Sequence, residues 1–110
     1  MSIIEQKYEE YLKSEDRTII IDEKEYFKAI YMEKEVLSGK NVIFVLISKD
    51  FFKKYGYKNK IRSVFGKEYE LIGPEFIKFC GPIPEWYMRC FNYMIETNDS
   101  LEEIGNYFTL

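Results

Sequence analysis

The chain opens on Ser2-Ile3-Ile4-Glu5, a capping-box spacing, and Ile4, Tyr8, Tyr11 and Leu12 follow at helical intervals, which predicts a helix from about Ile3 to Ser14. Thr18 to Ile21 is a β-branched run without polar alternation and reads as a strand buried on both faces. Asp22 stands three residues before Glu25, a second capping-box spacing, and Phe27, Ile30, Tyr31 and Leu37 recur on one helical face. This pattern predicts a helix from about Glu23 to Ser38, closed by Gly39. Val42 to Ile47 is apolar throughout, as in a central strand covered on both sides. Strand, helix and strand together predict a βαβ unit with parallel neighbours, the alternative being that the first strand is an antiparallel edge.

Further on, Ser48 or Asp50 caps a short helix through Tyr55 that Gly56 ends. Lys60–Phe65 and Glu68–Ile72 flank Gly66-Lys67 as a hairpin around a two-residue turn. Pro74 opens a predicted helix to Cys80, and Pro84 another to Thr97, the latter with Trp86, Tyr87, Cys90, Phe91, Met94 and Ile95 as a wide apolar stripe. Ser100 with Glu103 starts a last short helix. The fold class expected is therefore α/β or α+β: a small mixed sheet, built from the βαβ unit plus the hairpin and packed with several helices, in one globular domain spanning residues 1–110.

Composition narrows the functional classes. Hydrophobic residues are 46% and charged residues 32% of the chain, enough to build a core, which excludes a disordered or low-complexity protein. No apolar run approaches bilayer length and the N-terminus carries acids, so a cytoplasmic protein without a membrane segment is expected. The absence of histidine and the presence of only two cysteines remove the usual general base and the common zinc sets. No phosphate-cradling glycine loop is present, and acidic neighbours such as Glu102 and Glu103 point in different directions on a helix. No catalytic residue, metal site or cofactor is expected. Cys80 and Cys90 read as buried reduced thiols, with a bridge between them as the alternative.

The remaining signals are aromatic content and charge layout. Ten Tyr, nine Phe and one Trp exceed what an interior of this size needs, and Tyr suits interfaces as well as cores. Residues 49–67 hold seven basic side chains against one acid, whereas residues 68–110 hold two against eight. The basic stretch, with Lys53, Lys54, Tyr55, Lys58, Lys60 and Arg62, has cations interleaved with rings as nucleic-acid surfaces do, yet such a run is usually a solvated face, with contact to an acidic protein as a further alternative. Its single arginine and the acidic isoelectric point near 5.1 weigh against a polyanion. In the acidic part, Glu85, Tyr87, Glu96, Asp99, Glu102, Glu103 and Tyr107 form the expected partner-binding set.

These features lead to the expectation of a small non-catalytic protein that binds another protein as an inhibitor, immunity or accessory factor of the kind carried by mobile elements. Nucleic-acid binding through residues 49–67 is the alternative. Should much apolar surface be exposed, a symmetric homodimer is the simplest way to cover it.

Overall fold

Antiparallel pairing, not helical recurrence, shapes the chain from Thr18 to Lys34. The computed structural model describes residues 2–73 and 89–110, which form α1 (Ile3–Lys13), β1 (Thr18–Ile21), β2 (Lys24–Lys28), β3 (Tyr31–Lys34), β4 (Asn41–Val45), α2 (Lys49–Tyr55), β5 (Lys60–Ser63), β6 (Glu68–Glu70), β7 (Tyr93–Thr97), α3 (Leu101–Ile104) and β8 (Tyr107–Thr109). One sheet has the order β1-β2-β8-β5-β6 and the other β3-β4-β7, and every pairing is antiparallel.

The expected mixed sheet packed with several helices is thereby corrected to a mostly β protein with three short helices among the described residues. The helix expected over Glu23–Ser38 is instead β2, a bend at Ile30 and β3. Asp22 and Glu23 are not a helix cap: both lie in the left-handed region, at φ 51° and 67°, and make the two-residue turn of a β1–β2 hairpin with Ile21 opposite Lys24. Such turns usually announce themselves with Asn-Gly, so this Asp-Glu pair gave no hairpin signal. The βαβ unit falls with the helix, because β1 and β4 lie in different sheets, and β1 takes the antiparallel-edge alternative. Holding Glu23 left-handed costs about 1 kcal/mol. The double substitution D22N/E23G, which installs the preferred turn pair, is expected to raise stability by about that amount, read as a higher midpoint in urea denaturation.

Other expectations stand on firmer local chemistry. Ser2 Oγ accepts from the Glu5 N–H at 3.3 Å while Glu5 Oε1 accepts from the Ser2 N–H at 3.2 Å, so α1 begins with the capping box read from sequence. Ser48 caps α2 through the Phe51 N–H at 3.1 Å, and Gly56 ends it at φ 83°. The β5–β6 hairpin forms, but its loop is Val64-Phe65-Gly66, closed by Ser63 and Lys67, which lifts Phe65 to the tip. The helix expected to reach Thr97 ends in strand β7, since Tyr93-Met94-Ile95 is covered on both faces and then carries no alternation to distinguish strand from helix. The predicted Pro74–Cys80 helix and the first half of the Pro84–Thr97 helix lie outside the described residues.

The two sheets join at both sides. The β2–β3 chain crosses from one to the other, with the Ala29 N–H on the Asn106 carbonyl at 2.9 Å and the Ile30 N–H on the Phe44 carbonyl at 2.9 Å. Opposite, Ile72 and Met94 exchange backbone hydrogen bonds at 2.9 and 3.0 Å, stitching the end of β6 to β7. The result is a barrel-like ring whose interior is Phe27, Ile43, Val45, Ile61, Ile95, Ile104 and Phe108. β4 is the central strand expected from its sequence: Ile43 and Val45 face this interior, while Val42 and Phe44 face a second core with Ile4, Ile30, Cys90 and Phe91 under α1. Cys90 is buried there and burial pushes its thiol pKa up, which fits the reading of a small apolar side chain; Cys80 lies outside the described residues. No helix among the described residues is long and apolar enough to cross a membrane.

Candidate functional site

The seam of the ring is where surface features gather. β3 is the end strand of its sheet, and between it, α1 and α3 runs a groove of about 520 Å3. Ala29, Ile30, Met32 and Leu101 make its apolar floor, Tyr11 and Tyr31 contribute rings, and Lys7, Glu10, Ser14, Lys28 and Asn106 line its polar margin. The charges at the rim are already engaged: Lys7 pairs with Glu10 at 3.4 Å and Lys28 with Asp16 at 3.3 Å. Burial raises the pKa of Tyr11, opposed by the nearby Arg17 cation, and also raises that of Tyr31, so both phenols stay neutral.

From this groove β3 leads out to a hairpin tip. Glu35 and Lys40 close the loop, with the Glu35 N–H on the Lys40 carbonyl at 2.8 Å and the Gly39 N–H on the Glu35 carbonyl at 2.9 Å. Val36 and Leu37 stand on that loop, each 95% exposed. They are adjacent and apolar, on a loop whose base the β3–β4 ladder closes at Lys34 and Asn41. Sequence reading missed them because the helix expected over Glu23–Ser38 absorbed both.

Of the acidic and aromatic set, Asp99 and Glu103 both act on the Tyr69 phenol. Asp99 is a structural knot: its carboxylate accepts from Lys67 and from the Tyr69 hydroxyl at 2.9 Å, and its carbonyl accepts from Asn41 Nδ2 at 2.7 Å. Burial first, and the Asp99 contact second, push the Tyr69 phenol up to about 12. Glu96, Glu102 and Glu103 are exposed on β7 and α3, while Glu85 and Tyr87 lie outside the described residues.

Tyr107 is half-buried, and its hydroxyl donates to the Asp16 carboxylate and carbonyl, both at 3.0 Å, which ties β8 to the α1–β1 connection. Hydrogen bonds from Ser14, Tyr107 and Lys28 hold the Asp16 carboxyl down at about 2. With an unfolded value of about 3.9, this carboxylate adds stability above that pH and loses it as pH falls toward the folded value. Tyr107→Phe is expected to move the Asp16 titration, followed by carboxyl-carbon NMR, upward toward the ordinary carboxylate range.

The basic stretch is partly gathered and partly spent. Lys58, Lys60 and Arg62 do converge, joined by Lys24 from β2, around a small cleft of about 90 Å3 that Glu68 also lines. Lys24 is far away in sequence, and the strand order β2-β8-β5 brings it there. Cross-strand acids oppose this cluster, since Lys60 faces Glu70 and Arg62 faces Glu68, bonded at 2.8 Å. Lys54 and Tyr55 both bond Glu25, at 3.2 and 3.0 Å, leaving Lys53 exposed beside them on α2. Among the described residues no three acidic or thiol side chains gather to hold a metal ion. Comparison with protein-family models, curated proteins and solved structures finds no match to this chain.

Proposed function

We propose that this chain works as a non-catalytic binding protein whose target is another protein, engaged along the β3–β4 arm, with an inhibitory, immunity or accessory role. The observation that carries the proposal is the pair Val36 and Leu37, both almost wholly exposed at the tip of a closed hairpin. Exposed aliphatic side chains are tolerable singly, but two together on a projecting loop form an anchor for an apolar pocket. The groove at the other end of β3 offers rings and a paired polar rim, the surroundings that shield such an anchor from solvent.

A second class of target, nucleic acid, is favoured by one observation: Lys24, Lys58, Lys60 and Arg62 share a cleft. The acids set opposite them reduce the local field that phosphates would feel. The two classes separate in one comparison. A protein partner captured by the wild type should be lost from Val36→Asp/Leu37→Asp and kept by Lys58→Glu/Lys60→Glu. Oligonucleotide binding with a steep salt slope, abolished by the lysine changes, would overturn the protein-binding proposal.

A further inference from the structure

Two hairpins are anchored on one residue. The β3–β4 ladder closes at Lys34 and Asn41, and Asn41 Nδ2 donates to the Asp99 carbonyl at 2.7 Å. The β5–β6 hairpin closes at Ser63 and Lys67, and the Lys67 ammonium pairs with the Asp99 carboxylate, which the Tyr69 hydroxyl also reaches at 2.9 Å. Asp99 in turn donates its N–H to Thr97 Oγ1 at 3.1 Å, at the end of β7. The tips at Val36-Leu37 and at Phe65 therefore project from the same end of the ring, next to the turn from β7 into α3. Phe65 is 67% exposed, and the rest of its ring leans on Gly105, where a Cβ would meet it at 3.0 Å. Val64 donates its N–H to the Tyr107 carbonyl at 2.9 Å, which ties this tip to β8. A third exposed apolar side chain thus shares an end of the molecule with Val36 and Leu37.

Charge defines what can sit there. Glu33, Lys34, Glu35 and Lys40 belong to the arm, Glu96 to the end of β7, and Glu102 and Glu103 to the first turn of α3. Lys67 offsets Asp99, and across the β5–β6 ladder Arg62 offsets Glu68 and Lys60 offsets Glu70. None of the other seven belongs to an ion pair among the described residues, so five carboxylates stand against two ammonium groups. Register sets two of the five in one row, because Glu33 and Glu96 both lie opposite Val42. An acidic field around apolar tips repels nucleic acid and acidic proteins and draws a basic surface. Resting on the reading that a protein occupies the β3–β4 arm, we infer that this partner covers the whole end, seating Phe65 as well as Val36 and Leu37 in apolar recesses of a face rich in Lys and Arg. The three apolar side chains supply affinity, and the carboxylates supply encounter rate and orientation. Asp99 acts as a positioning residue that holds the two hairpins side by side, its carboxylate being taken by Lys67 and Tyr69.

Photo-crosslinking in intact cells, with the reactive amino acid at position 65 in one chain and at position 37 in another, tests the shared surface. Mass spectrometry is expected to find the same protein in both adducts. With that protein purified, Phe65→Ser should weaken binding about tenfold to a hundredfold, as loss of one buried ring does. Glu96→Lys/Glu102→Lys turns the negative excess at this end positive. It should slow association about tenfold at low salt and remove the slowing that added salt causes with the wild type. Circular dichroism should show both variants folded, since all three positions are exposed. An adduct from position 37 without the same protein from position 65, or an association rate indifferent both to salt and to the two lysines, would overturn the inference while leaving the arm reading in place. Absence of any discrete protein adduct from position 37 would overturn the arm reading and this inference with it.

Discussion

Asn92→Ala is expected to destabilise the protein by roughly 2 to 4 kcal/mol, because it leaves two backbone groups of a buried residue without partners. β4 ends at Val45, but the chain continues extended to Ile47, beyond the last rung of the ladder. The Asn92 side chain takes the place of a strand: its Oδ1 accepts from the Ile47 N–H at 2.9 Å and its Nδ2 donates to the Ile47 carbonyl at 2.7 Å. Its own N–H bonds the Val45 carbonyl at 3.0 Å, so the amide extends the β4–β7 ladder by one rung. Ile47 is 2% exposed, so water is poorly placed to compensate. For a domain of this size, the loss corresponds to a melting temperature lower by roughly 10 to 20 °C.

Asn92→Asp separates this explanation from a simple loss of packing. The carboxylate can still accept from the Ile47 N–H, but its second oxygen then opposes the Ile47 carbonyl. Protonation turns that oxygen into a donor, so the folded-state pKa of Asp at this position lies above its unfolded value. A raised folded pKa gives a variant that approaches wild-type stability below the unfolded value and falls behind as pH rises through the folded one. Denaturation at a series of pH values, taken as the difference from wild type, should show that trend; a flat difference would point to packing alone.

The second large effect is on binding, not on stability. Val36→Asp/Leu37→Asp should weaken partner affinity by roughly a hundredfold or more, given about 1.5 to 3 kcal/mol for each aliphatic side chain that a pocket would bury. Both side chains touch solvent in the free protein, so unfolding free energy should change by no more than about 0.5 kcal/mol. Isothermal titration against the identified partner and urea denaturation of the free chain give the two numbers. A variant that loses both together would mark the tip as structural.

How much was legible in the sequence depends on whether local chemistry or distant pairing decided each element. Ser2 with Glu5 and Ser48 with Gly56 are self-contained signals, and α1 and α2 follow from them. Val42 to Val45 could be read as central because a strand covered on both faces is apolar at every position. The same property hid β7, where Met94 and Ile95 fit a helical stripe equally well. The Glu23–Ser38 segment was misread for a different reason. Its Glu, Lys, Ala and Met favour helix, and only pairing with β1, β4 and β8 overrides that preference. The candidate site inherits this error. Lys58, Lys60 and Arg62 could be found from their clustering, whereas Lys24 joins them through the β2-β8-β5 strand order, and Val36 and Leu37 stand out only once the segment is known to be a β arm.

Contact between the proposed protein partner and the β3–β4 arm can be trapped directly. A photo-reactive amino acid placed at position 37, and separately at position 60, tests it in intact cells. One discrete protein adduct is expected from position 37, suppressed by excess unlabelled wild type, and none of that mass from position 60. Adducts to nucleic acid from position 60, with only diffuse background from position 37, would contradict it.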